Sequence, residues 1–157
     1  MASQNTPNEK YTVPLWINGK EETRPSTFAV ISPTTNTTCW TASNASKDDA
    51  RNAITIAATA FKTWRNSKPA ARQEILLKAA EHLEKNSEEY AEYMCTEMGA
   101  ELPVAQGFVL PVAIGMMRDI AARISSVVGN VPVAQQQGRS AMVWKEPYGV
   151  VLGIVPW

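Results

Sequence analysis

Apolar and polar positions change period several times along this chain, and each change marks a predicted element. Val13 to Ile17 has strand composition and is followed by Asn18-Gly19. A type I′ turn needs positive φ at both central residues, which Asn-Gly supplies, so Trp16-Ile-Asn-Gly-Lys20 predicts a hairpin tip. Phe28 to Ser32 predicts a second short strand, Pro33-Thr-Thr-Asn36 a turn and Thr38 to Ala42 a return strand. The period then becomes helical. Ser46 is a natural N-cap, with Asp48 and Asp49 suited to the positive end of the helix dipole. Ala50, Ala53, Ile54, Ala57, Phe61 and Trp64 fall on one stripe, which predicts one buried face. Pro69 opens a second helix with Ile75, Leu76, Ala79, Ala80 and Leu83 inward. Ser87 is expected to cap a third, carrying Ala91, Met94, Cys95 and Met98 and stopping at Gly99.

From Leu102 to Val128 the period is helical again, through Val104, Phe108, Val112, Met116, Ile120, Ile124 and Val127. Pro111 removes a hydrogen bond and crowds the carbonyl four residues back, and with Gly107 it predicts a kink or two pieces. Val131 to Gln137 and Ser140 to Glu146 predict two polar strands around Gly138, a ribbon suited to pairing with another chain. The final run, Val150, Val151, Leu152, Ile154 and Val155, is apolar on both sides, the pattern of a strand inside a parallel sheet. Burying these side chains is worth roughly 1.5–3 kcal/mol each. Pro156 ends the ladder because it has no N–H. A sheet that starts here without neighbours reads as the front part of a larger protein.

Composition narrows the classes. The chain has 157 residues, enough for one domain with a core, and its 15 basic side chains balance 15 acidic ones. That balance gives no reason to expect nucleic acid or an anionic membrane surface as a partner. Met1 to Lys10 is polar, predicting a disordered tail with no signal-peptide core. No run reaches the eighteen or so apolar residues of a membrane span. Two cysteines are too few for a secreted disulfide scaffold, so a cytoplasmic, reducing setting is the expectation.

Candidate chemistry is sparse. Cys95 lies on an apolar helical stripe and Cys39 between Thr38 and Trp40, positions of small buried hydrophobes more than of nucleophiles. The single histidine, His82, cannot form a metal cluster. Glu88, Glu89, Glu92 and Glu97 read as a solvated helix face. The glycines at 149 and 153 flank a strand and do not open a helix, so no nucleotide fingerprint is present.

Order and spacing add what composition lacks. Trp16-Ile-Asn-Gly-Lys20, Phe28-Ala-Val-Ile-Ser-Pro33, Ala42-Ser43, Ala60-Phe61-Lys-Thr-Trp64, Leu83-Glu84, Thr96-Glu-Met-Gly99 and Lys145-Glu-Pro-Tyr-Gly-Val-Val-Leu-Gly-Ile-Val-Pro-Trp157 follow one another in that sequence. This series closely resembles the amino-terminal part of the NAD(P)-dependent aldehyde dehydrogenase superfamily. Ile114-Gly-Met-Met-Arg118 and Leu152-Gly-Ile-Val-Pro-Trp157 look most like its aromatic-aldehyde branch, of salicylaldehyde or vanillin type.

The resemblance implies an α/β fold. Its parts would be N-terminal β-hairpins, about four helices, a β-ribbon oligomerisation arm and the first strand of an incomplete Rossmann-like parallel sheet. Residues 11–130 and 147–157 would form part of a cofactor-binding domain, 1–10 a tail and 131–146 the arm. Ile154, Val155, Pro156 and Trp157 match the segment that contacts the nicotinamide end of NAD or NADP. Met116 and Val112 match the helix lining the aldehyde tunnel, with plain core packing as the competing explanation. The family's reaction is thiolate attack on the aldehyde, hydride transfer and hydrolysis of the thioester. Neither Cys39 nor Cys95 matches the nucleophile's position, so these residues alone are expected to be inactive. Partners implied are a small aldehyde and a second copy or full-length relative. Two other readings stand beside this one: a non-catalytic protein that pairs with a relative through residues 131–146, and an independently folded helical binding module.

Overall fold

The computed structural model describes residues 12–155, so the predicted tail over residues 1–10 lies outside the described residues, as do Pro156 and Trp157. Among the described residues, five short strands precede four helices. The expected first strand is split. β1 (Thr12–Val13) and β2 (Leu15–Ile17) flank Pro14, which has no N–H to give a ladder. β2 turns at Asn18 and Gly19, with φ of 54° and 70°, into β3 (Lys20–Glu22), pairing Ile17 with Lys20. β4 (Thr27–Ile31) runs antiparallel to β5 (Thr38–Ser43), and β1 adds to β5 in parallel. Between β4 and β5, Asn36 takes φ 54° and the Asn36 amide donates to the Ser32 carbonyl at 2.8 Å.

Helix α1 (Lys47–Trp64) starts at its expected N-cap, Ser46, and Asp49 completes a reciprocal capping box that the sequence reading did not name. The Asp49 amide donates to Ser46 Oγ at 3.1 Å, and the Ser46 amide donates to Asp49 Oδ2 at 2.8 Å. Its apolar stripe is present but not buried. No residue of α1 is buried, and Ile54 and Trp64 are exposed. The stripe needs a facing surface, and none of the described elements covers it.

α2 (Pro69–Lys85) begins at its proline. α3 (Ser87–Met98) follows after the single residue Asn86, and here the expectation for Ser87 is corrected. Ser87 lies inside the helix and makes no cap bond; Asn86 occupies the N-cap. The Asn86 amide side chain instead donates back to the His82 carbonyl at 2.7 Å, closing α2. α3 ends at Gly99 in the left-handed conformation, φ 72°, with amides 99 and 100 returning to the carbonyls of Cys95 and Met94.

α4 (Leu102–Ser126) is continuous, so the expected break is not realised as two pieces. It contains a π-helical turn, Ala105–Val109, in which the Leu110 amide donates to the Ala105 carbonyl. The wider turn carries Gly107, the residue whose carbonyl Pro111 would otherwise crowd, and so accommodates the proline within a continuous helix. At 25 residues, α4 is long and apolar enough to cross a membrane by length and composition alone, contrary to the count of apolar runs. Its Arg118 donates to Glu84 of α2 at 2.6 Å and α2 packs along one side of it, while the other side is exposed.

The buried centre is small. Ala91, Ala105 and Leu110 form it, with Leu83, Tyr90, Met94 and Ala100 packed around. α2 and α4 meet closely, and Ala80 and Ala121 are both fully buried. Aromatic edges join the layers: Trp40 of β5 meets Tyr93 at 6.2 Å, Tyr93 meets Tyr90 at 6.3 Å, and Tyr90 meets His82 of α2 at 6.5 Å.

Two sequence expectations fail for one reason. Residues 131–146 form no strands; a single bridge pairs Asn130 with Val143, and Gly138 turns the chain at φ 78°. Residues 150–155 form no strand either, and Val150, Val151, Leu152, Ile154 and Val155 are exposed, not buried. A ribbon or lone strand without a third strand or an apolar face to pack on is marginal in water. The first strand of a Rossmann-like sheet is therefore absent among the described residues.

Asp49 links strand and helix. Its carboxylate accepts from Arg24 Nε at 2.9 Å and Nη2 at 2.7 Å, and from the Ser46 amide and hydroxyl. The Arg24 guanidinium first, then Ser46, holds the Asp49 carboxyl well below the usual carboxylate range, and Asp49 and Glu22 raise Arg24 in turn. A depressed folded value places the stabilisation above the unfolded value of about 3.9 and removes it as pH falls through and below that point. Urea unfolding from pH 7 to 2 should show Asp49→Asn weakest relative to the parent at neutral pH, with the gap closing below about pH 4. Gly99→Ala should cost about 1 kcal/mol or more in the same measurement, since the added Cβ meets Pro33 Cγ at 3.1 Å at a positive φ.

Candidate functional site

Two faces of α4 lie about 200° apart, because two residues of helix turn through that angle. Leu110, Ile114 and Ala121 point inward and are buried. Phe108, Val112, Met116 and Ile120 point the other way at four-residue spacing and are exposed, Met116 by 60%. The structure thus brings Val112 and Met116 together on one apolar stripe facing away from α2. Ile154 and Val155 are exposed too, Ile154 by 88%. Pro156 and Trp157 lie outside the described residues. None of the four described candidates lines any of the three clefts set out below.

An exposed ion pair links α4 to α2. Arg118 pairs with Glu84 through Nη2 at 2.6 Å and Nη1 at 3.3 Å, and Glu84 raises Arg118 above its ordinary value. This pair borders a cleft of about 290 Å³ that includes Ser87, Gln106 and Pro111.

A second cleft, about 320 Å³, brings the two thiols to one wall, which separate readings of Cys39 and Cys95 did not reveal. Cys39 on β5 and Cys95 in the last turns of α3 line it with Ser32, Thr34, Thr38 and Thr96. Cys39 is buried, 7% exposed, and donates to the Val30 carbonyl at 3.3 Å; Cys95 is half-buried. Neither has a histidine, lysine or arginine on this wall to activate it. His82 is exposed at the end of α2, and Glu88, Glu89, Glu92 and Glu97 are exposed along α3, as expected of solvated positions. Among the described residues, no group of three or more His, Cys, Asp or Glu side chains is placed to hold a metal ion.

The third cleft, about 380 Å³, lies where the end of α1 meets the start of α2 and the end of α4. It holds Arg65, Arg72 and Lys145 beside Phe61 and Trp64. Sequence reasoning missed it. The only local signal was the basic residue that follows Trp64, and its partners are remote in the chain.

With this geometry in place, comparison with known proteins is direct. The pattern of the aldehyde dehydrogenase family matches residues 16–157. A vanillin dehydrogenase from Pseudomonas sp. (strain HR199 / DSM 7063) is 36% identical over 152 residues, covering 94% of this chain and 31% of that protein. A salicylaldehyde dehydrogenase from Pseudomonas putida is 30% identical over 142 residues, covering 90% of this chain and 29% of its own length. The crystal structure of a salicylaldehyde dehydrogenase from Pseudomonas putida G7, complexed with salicylaldehyde, superposes with a TM-score of 0.80 at 26% identity, over 87% of this chain and 28% of that one. PnpE in complex with nicotinamide adenine dinucleotide superposes with a TM-score of 0.74 at 26% identity, over 78% of this chain and 26% of that one. The chain spans less than a third of the length of these relatives.

The burial difference between the thiols is measurable. Labelling of the native chain with a disulfide reagent should modify Cys95 before Cys39, and Cys39 should react at the rate of local opening of β4 and β5. Mass spectrometry of timed samples reads the order.

Proposed function

The chain belongs to the aldehyde dehydrogenase family, and from that premise we propose that its residues contribute to NAD- or NADP-dependent oxidation of an aromatic aldehyde to its carboxylic acid. The carrying observation is the 36% identity to a vanillin dehydrogenase across 94% of the chain. The salicylaldehyde dehydrogenases support the same substrate class.

In this reading the outward stripe of α4 forms one wall of the aldehyde tunnel. Val112 and Met116 present apolar, conformationally adaptable surface to a flat ring. Their exposure leaves them free for that contact, since the buried centre uses the opposite face. Ile154 and Val155, with the sequence neighbours Pro156 and Trp157, would hold the nicotinamide end of the cofactor. Ile154 and Val155 fit such a role in that both are apolar and unpacked. The nicotinamide, when bound, accepts the hydride. These residues would orient it and exclude water from the transfer.

The nucleophile is not among these residues. Cys39 donates to a backbone carbonyl in a buried site and Cys95 lies on a helix beside it, each without an activating cation or base on the shared wall. In this reading the 157 residues by themselves do not turn over. Residues 131–146 serve as an arm for pairing with a second copy or a full-length relative in a cytoplasmic oligomer. Their supporting feature is a mostly unpaired backbone, with the Asn130–Val143 bridge as its anchor. A purely non-catalytic pairing role rests on the same arm.

Two assays test this. The purified chain with vanillin or salicylaldehyde and either cofactor should give no reduced nicotinamide, and clear turnover would refute the inactivity. A chimera in which these residues replace the matching segment of the vanillin dehydrogenase should oxidise vanillin. In it, Met116→Ala should raise KM by about threefold to tenfold with a smaller effect on kcat, the loss expected for one apolar contact with substrate. An inactive but folded chimera, or an unchanged KM, would count against the tunnel role.

A further inference from the structure

The cleft at the junction of α1, α2 and α4 has the composition of a binding site for an amphipathic anion. Arg65, Arg72 and Lys145 face it, against the single carboxylate of Glu146. None of these three cations enters an ion pair with a described residue. Two are held in place by contacts that leave their charge unneutralised. Arg72 Nη1 donates to the Ser67 carbonyl at 3.0 Å. The Arg65 guanidinium carbon sits 5.4 Å from the centre of the Phe61 ring. The remaining walls are apolar: Trp64, Ile124, Val127 and Pro147. At about 380 Å³ the cleft falls at the lower end of small-molecule sites, which span about 300–1,000 Å³.

We propose that this cleft binds an aryl carboxylate, with the carboxylate between Arg65, Arg72 and Lys145 and the ring against Trp64. Three cations against one carboxylate leave an excess of positive charge, which an anion relieves. Glu146 on the same wall disfavours a second negative group, so the ligand is a monoanion. The apolar walls give a flat ring an area that inorganic phosphate cannot use, and Trp64, which is half-exposed, supplies aromatic surface on the lining. Guanidinium groups match a carboxylate in geometry as well as charge. This site is separate from the outward stripe of α4 and does not rest on the dehydrogenase reading.

The test uses the full chain and 2-naphthoate as probe, with calorimetry and the indole N–H signal of Trp64 in ¹⁵N spectra, assigned through Trp64→Phe. 2-Naphthalenemethanol and inorganic phosphate are the comparators. Naphthoate should bind at least about tenfold tighter than either, shift the Trp64 signal, and weaken about tenfold or more in Arg65→Gln/Lys145→Gln, as expected on losing charged hydrogen bonds. Arg139→Gln, which removes a charge elsewhere, should leave it unchanged. Should the double variant lose its helical circular dichroism, Lys145→Gln alone serves, with a smaller loss expected. Equal binding of phosphate or of the neutral alcohol would overturn the proposal. So would naphthoate binding that ignores the substitutions or the Trp64 signal, or no binding at millimolar concentration.

Discussion

The carboxylate of Asp49 joins parts of this molecule that no hydrophobic core joins. α1 buries no residue, so packing alone does not tie it to the sheets. One oxygen of Asp49 takes two donors from Arg24, which follows β3, and the other takes the amide and hydroxyl of Ser46. The Arg24 amide in turn donates to Ser43 Oγ at the end of β5 at 3.2 Å. One polar joint therefore sets where α1 departs from the sheet, and with it where Phe61, Trp64 and Arg65 arrive to wall a cleft. Charged hydrogen bonds of this kind are short and directional, so they specify an angle as well as a contact.

Away from that joint the helices obey a different economy of surface. α2, α3 and α4 share a centre built largely from alanine, where small side chains let the helix axes approach. The larger apolar residues face outward: Phe108, Val112, Met116 and Ile120 on α4, Ile54 and Trp64 on α1, and the run from Val150 to Val155. An apolar residue left in solvent singly is ordinary, but a set at four-residue spacing such as that on α4 describes a surface shaped for contact. The proposed tunnel wall is this set, and a stripe carrying Met116 suits a ligand of varied outline.

What the sequence disclosed, and what it withheld, follows from the range of each interaction. Asn18-Gly19, Ser46, Pro69 and Gly99 act within a few residues, and the structure realises each where expected. Ser87 misled because Asn86 competes for the same junction and spends its side chain on the preceding helix. The strands expected over residues 131–146 and 150–155 have the right composition, but a strand exists only with a neighbour, and neighbours are not written in local pattern. The same limit hid the shared wall of Cys39 and Cys95 and the convergence of Arg65, Arg72 and Lys145, whose partners lie far apart in the chain. Val112 and Met116 were legible as one face of a helix; that the face is the outward one was not.

The wide turn at Ala105–Val109 reaches beyond the proline it relieves. Ala105 and Leu110 are five residues apart, a separation that an ordinary helix would splay by roughly 140°. Here an i to i+5 bond stacks them, and both belong to the buried centre. The turn thus works as a one-residue phase shifter. It sets the azimuth of everything downstream, so the outward aim of Val112 and Met116 depends on a residue count made upstream. Shortening that segment by one position would swivel the rest of the rod by about a quarter turn without altering a single one of its side chains.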